Sequence, residues 1–60
     1  MKRPEYITDE MVAFLEKLRE QNKTNKFSIV KNLFVDEFNV SREEASTIVF
    51  NWLEFRTSWG

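Results

Sequence analysis

Three pairs of adjacent carboxylates are the best candidates in this sequence for general acid–base catalysis. The pairs are Asp9 with Glu10, Asp36 with Glu37, and Glu43 with Glu44. A shared acid–base site needs both groups to face one substrate, but neighbours on a helix diverge by about 100°. The chain has no histidine and no cysteine, so the usual nucleophiles, bases and transition-metal ligands are missing. We therefore expect no enzyme, no catalytic residue, and no bound metal or cofactor.

The length of 60 residues allows one domain with a thin hydrophobic core. We expect a single helical domain over 1–60, with an N-terminal arm (1–7) and a C-terminal tail (57–60). The initial Met1 suggests a whole small open reading frame. So short a chain has little room for a pocket of about 300 Å³ or more, so we expect no small-molecule substrate.

Composition narrows the classes of partner. The net charge is -1, which is not the positive excess that holds many proteins to nucleic acid. Apolar stretches are far shorter than a membrane span, so we expect no membrane partner. The absence of cysteine is compatible with the cytoplasm, and we expect a cytoplasmic location.

Helices are the expected elements, because the interior of the chain lacks strong helix breakers. The one glycine is the last residue and the one proline is at position 4, which disfavours a turn-rich β fold. Apolar residues recur at the spacing of a helix face in three segments, roughly 8–22, 26–38 and 41–56. The sequence thus predicts an all-α fold, a small three-helix bundle.

Start signals precede each predicted helix. Thr8 is a good N-cap for the first helix. Thr24 or Asn25 is a candidate cap for the second helix. Ser41 and Glu44 have the spacing of a capping box, in which Ser41 caps the third helix and Glu44 reaches back to it.

The second helix is apolar around more than half of its circumference, which is typical of a central helix covered on two sides. Its β-branched residues Ile29, Val30 and Val35 leave a strand open as an alternative. The predicted core contains Met11, Phe14, Leu15, Leu18, Val30, Leu33, Phe34, Phe38, Ile48, Val49 and Trp52.

Apolar residues keep fixed offsets around the turn between the second and third helices. These offsets are occupied by Phe34, Phe38, Val40, Ala45 and Ile48. Asn39 stands where a glycine is common, and it tolerates the left-handed backbone that a tight turn needs. Over roughly Lys31 to Phe50, the chain resembles a generic helix-turn-helix motif. It departs from the motif at Val35, where a small residue is usual.

The resemblance implies that the start of the third helix enters the major groove of DNA. The DNA-contact candidates on this helix are Ser41, Arg42, Ser46 and Thr47. Lys23 and Lys26 are basic candidates in the link before the second helix, although such lysines are also typical of a solvated surface. Glu43 and Glu44 lie in the same turn as Arg42 and would repel phosphates.

Apolar surface on and after the third helix favours a different function. Phe50 projects to the polar side of the predicted helix, where the core cannot bury it. Leu53 and Trp59 are the other candidates for protein contact, although Trp59 could also fold back over the end of the bundle. The leading hypothesis is a small non-enzymatic module that acts by protein–protein contact, with a protein partner or as a homodimer. The alternative is a helix-turn-helix regulator that binds DNA.

Overall fold

Three α-helices follow one another in the computed structural model of the chain, which describes residues 2–59 and contains no strand in that range. The helices are α1 (Asp9–Glu20), α2 (Phe27–Phe38) and α3 (Arg42–Phe55). α2 packs against both α1 and α3. The predictions of an all-α three-helix fold and of a central second helix are confirmed, and the strand alternative is wrong.

Side-chain caps fix the starts of α1 and α3. The Thr8 hydroxyl accepts a hydrogen bond from the Met11 backbone N–H at 3.2 Å. The Ser41 hydroxyl accepts one from the Glu44 backbone N–H at 3.1 Å. Each bond satisfies one of the N–H groups that the first turn of a helix leaves unpaired. Both predicted caps are confirmed, but within residues 2–59 the Glu44 carboxylate does not complete the capping box.

A left-handed residue ends α1 earlier than predicted. Asn22 has a φ of 57°, and its N–H donates to the Arg19 carbonyl at 3.0 Å. The Lys23 N–H donates to the Leu18 carbonyl at 2.9 Å. This pair of bonds is a Schellman motif, with asparagine at the position where glycine is usual. The last helical residue is therefore Glu20, two residues before the predicted end.

The start of α2 corrects the predicted cap. Lys26 occupies the N-cap position with an extended backbone, and no side chain caps the helix. Thr24 and Asn25 lie before this position, so the cap predicted at one of them is wrong. The lysine ammonium has donors and no acceptor, so it cannot bind the free N–H groups of the first turn. This helix start therefore depends on packing of the helix rather than on a local cap.

The turn between α2 and α3 depends on Asn39. Its φ of 53° and ψ of 43° lie in the left-handed region, as expected from the sequence. Its N–H donates to the Val35 carbonyl at 2.8 Å. Val40 then packs against the core, and Ser41 starts α3. Three residues, 39–41, therefore connect α2 and α3.

The core draws on α1, α2, α3 and the segment before α1. The buried side chains are Ile7, Leu15, Leu18, Val30, Phe34, Ala45, Ile48, Val49 and Trp52. The predicted core residues Met11, Phe14, Leu33 and Phe38 are half-buried and pack around this cluster. A chain this short has few fully enclosed positions, so much of the apolar face of each helix lies at the edge of the core.

The segment before α1, predicted as an N-terminal arm, contributes a side chain to the core. Ile7 is 1% exposed, and its N–H donates to the Pro4 carbonyl at 3.1 Å in a turn that leads into the helix. Arg3 also pairs with Asp9 at 2.7 Å. Ile7 was not among the predicted core residues. Met1 and Gly60, which belong to the predicted arm and tail, lie outside the described residues.

Trp52 and Phe50 allow a matched test of the core. We expect Trp52→Ala to cost about 3–5 kcal/mol, because the indole is fully buried and its removal leaves a cavity. Phe50→Ala should change stability by about 0.5 kcal/mol or less, because half of that side chain is already in water. Urea unfolding followed by circular dichroism measures both. Equal losses in the two variants would contradict this description of α3.

Asn39 allows a test of the turn. We expect Asn39→Ala to destabilise the protein by about 1–2 kcal/mol, since alanine pays for the left-handed conformation. Asn39→Gly should be as stable as the parent or more stable, because glycine adopts positive φ freely. Thermal unfolding of the two variants compares them directly, and a glycine variant no more stable than the alanine variant would contradict the role given to the left-handed conformation.

Candidate contact surface on the third helix

α3 has one fully buried face and one exposed apolar face. Ala45, Val49 and Trp52 are completely buried, whereas Phe50 is 52% exposed and Leu53 is 40% exposed. Phe50 and Leu53 are three residues apart, so their side chains are neighbours on the helix surface. We call these two residues the Phe50–Leu53 patch. The predicted exposure of Phe50 is confirmed.

Polar and acidic residues surround the patch. Thr47 precedes Phe50 by three residues and Glu54 follows it by four, so both are its neighbours on the helix. Glu43 lies two turns before Phe50 on the same side. All three are exposed. An apolar centre with a polar rim is the usual arrangement of a protein contact surface.

Trp59, the third candidate for protein contact, is not part of the exposed Phe50–Leu53 patch. It is half-buried and packs against the core cluster. Its indole Nε1 is buried and has no hydrogen-bond partner. Trp59 thus covers the edge of the core, which was the other interpretation of its sequence position.

Arg56 closes the same end of the molecule. Its guanidinium lies 5.3 Å from the ring centroid of Trp52, a distance at which a cation is attracted to the face of an aromatic ring. It also approaches the Glu16 carboxylate at 3.8 Å. Sequence reasoning missed this residue, because its role depends on the relative position of α1 and the end of α3.

A second exposed apolar residue of interest lies on α2. Ile29 is 46% exposed and lines an open groove with Leu33, Lys23 and Lys26. The sequence pattern predicted a helix covered by its neighbours on two sides, so the exposure of Ile29 was not expected. The missed signal is that Ile29 precedes Asn32 by three residues, which puts it beside the polar strip of the helix.

The DNA-contact candidates are divided between two parts of the chain. On α3 and its cap, Ser41, Arg42 and Thr47 are exposed and Ser46 is half-buried. Glu43 and Glu44 are exposed in the same first turn. Lys23 is exposed in the link before α2, and Lys26 is exposed at the N-cap of that helix. Both line a groove with Ile29. The outer face of α3 therefore combines one arginine with several carboxylates and an apolar patch.

An open groove lies between α3 and the segment before α1. Its volume is about 460 Å³, so the expectation that so short a chain lacks room for such a pocket is wrong. The groove is open rather than enclosed because it forms where elements meet at the surface. It is lined by Tyr6, Met11, Val40, Ser41, Glu43, Glu44, Thr47 and Ile48. We call it the α3 groove.

Among residues 2–59, no group of three potential metal ligands comes together. No helix in this range has both the length and the apolar character needed to cross a membrane. Comparison of the chain with protein-family models, curated proteins and solved structures found no match.

Proposed function

We propose that this chain is a small non-enzymatic module that acts by protein–protein contact or self-association through the Phe50–Leu53 patch. The observation that supports it is the exposure of Phe50, which lies opposite the buried Trp52, and of its neighbour Leu53 at the edge of the buried face of α3. α3 is held by its core face, so a partner meets a surface that is already ordered. Such preorganisation lowers the entropic cost of binding.

The size of the patch indicates a contact of modest strength. Covering a large apolar side chain contributes about 1.5–3 kcal/mol when the residue starts fully exposed. Phe50 and Leu53 are each only about half exposed, so each can contribute part of that amount. A stable complex therefore needs further contacts around the patch, and Glu43, Thr47 and Glu54 are the exposed side chains placed to make them.

DNA binding is the alternative function, and the turn between α2 and α3 is the observation that favours it. Asn39 has the left-handed backbone and Ser41 caps α3, as the helix-turn-helix resemblance requires. Ser41, Arg42, Ser46 and Thr47 would contact the bases, and Lys23 and Lys26 would contact phosphates. The exposed Glu43 and Glu44 oppose a phosphate backbone at the same helix start, so we place this function second.

Self-association has a matched test in two exposed apolar residues. We expect Phe50→Glu to abolish association, because it puts a charge at the centre of the patch. Ile29→Glu should leave association unchanged, since Ile29 is similarly exposed but lies on α2. Sedimentation equilibrium over a wide range of protein concentration measures both variants, with circular dichroism as the control for helix content.

Equal association in the parent and in Phe50→Glu would overturn the patch as a self-contact. A parent that stays monomeric at all concentrations would exclude the homodimer. The heterologous form of the proposal is then tested by capture of partners from source cells on the immobilised chain. Phe50→Glu should lose the captured protein and Ile29→Glu should retain it.

The DNA-binding alternative makes a separate prediction. The chain should shift a duplex DNA probe at low ionic strength, where phosphate contacts are strongest. Arg42→Ala combined with Ser46→Ala should remove any preference for sequence, whereas Lys23→Ala with Lys26→Ala should weaken binding to all sequences alike. Absence of a shift at low ionic strength would exclude this function.

A further inference from the structure

The α3 groove has an apolar floor and a polar rim. Met11, Val40 and Ile48 belong to the buried core cluster or pack against it, and all three line the groove. They supply aliphatic surface at its base. Glu43 and Glu44 line the same groove and are both exposed. The groove therefore offers an aliphatic base next to carboxylates.

The aromatic wall of this groove is attached to α3. The Tyr6 hydroxyl accepts a hydrogen bond from Asn51 Nδ2 at 3.3 Å, and the same Asn51 amide donates to the Thr47 carbonyl at 2.9 Å. Tyr6 itself remains half exposed. These bonds hold the wall beside the helix, so the groove exists before any ligand enters it.

The charge at the groove is negative. Neither Glu43 nor Glu44 forms an ion pair with another residue in the described range 2–59. The N-terminus of a helix carries about half a positive charge, and Arg42 is exposed beside Glu43. The charged residues that line the groove itself, however, are the two carboxylates. A ligand that complements this groove thus combines an aliphatic stem with a cationic head.

We propose that the α3 groove receives an arginine side chain of the partner protein that contacts the Phe50–Leu53 patch. The methylene stem of that arginine lies on Met11, Val40 and Ile48, and the guanidinium binds a carboxylate at the rim, that of Glu43 or Glu44. This inference rests on the proposed function as a protein-contact module. It adds the chemistry that selects the partner.

Geometry favours arginine over lysine. Glu43 and Glu44 are adjacent on α3, so their side chains diverge by about 100°. One ligand therefore engages one of them closely, and a guanidinium, which presents five N–H donors in a planar fork, can bind that carboxylate through two parallel hydrogen bonds. The ammonium of lysine is a compact and strongly hydrated charge without this planar fork, so it should bind the rim more weakly.

The groove and the patch are continuous. Thr47 lines the groove and is a neighbour of Phe50 on the helix surface. Glu43 also lines the groove and lies two turns before Phe50 on the same side of α3. One partner segment can therefore cover the patch with apolar side chains and place its arginine in the groove.

The test uses n-butylguanidinium as a probe of the groove alone. Titration into the isotope-labelled chain, followed by NMR, should shift the backbone amides of Met11, Val40 and Ile48. The neutral isostere n-butylurea lacks the charge, and guanidinium lacks the stem, so neither should reproduce these shifts at the same concentration. n-Butylammonium should bind more weakly than n-butylguanidinium.

Two double variants separate the groove from general electrostatics. Glu43→Gln with Glu44→Gln should weaken probe binding about fivefold, because each exposed ion pair contributes a few-fold in affinity. Asp36→Asn with Glu37→Gln removes the same charge from an exposed pair on α2 and should leave binding unchanged. Circular dichroism checks that both variants keep their helices.

Equal shifts with n-butylurea, or an equal loss in both double variants, would overturn the arginine site. Phe50→Ser should leave probe binding at the groove intact, since Phe50 does not line it and the substitution adds no charge. A chain that binds the probe but shows no association through Phe50 would contradict the proposed function alone. Association through Phe50 without probe binding would contradict this inference alone.

Discussion

The indole of Trp52 carries no solvent exposure and lies in a core cluster that includes side chains from α1, α2, α3 and the segment before α1. Burying an aromatic side chain of about 150–250 Å² contributes about 4–6 kcal/mol. Its Nε1 has no hydrogen-bond partner, which costs about 1–3 kcal/mol. Burial outweighs that cost, so Trp52 fixes the rotation of α3 about its axis.

That rotation determines what the opposite face of α3 can be. A residue two positions from Trp52 points about 160° away from it on a helix of 3.6 residues per turn. Phe50 is therefore exposed because Trp52 is buried, and no rotation of α3 hides both. The contact surface proposed for this chain is a direct consequence of how its core is built.

Local rules made much of the fold predictable, and contacts between distant residues account for what was missed. Thr8, Ser41 and Asn39 act through backbone groups within a few residues, so their roles could be inferred from spacing alone. The burial of Ile7 depends on where the segment before α1 meets the bundle, which no periodic pattern encodes. For the candidate site, the wheel position of Phe50 predicted its exposure, whereas the α3 groove forms where Tyr6 meets α3 and has no signature in either segment.

The separation of the two faces of α3 has an evolutionary consequence. Residues on the outer face, such as Thr47, Phe50 and Glu54, contribute little to the core, so substitutions there are nearly neutral for folding. Selection can change them one at a time without passing through an unfolded intermediate sequence. Such a scaffold can exchange one binding specificity for another while its hydrophobic interior stays the same.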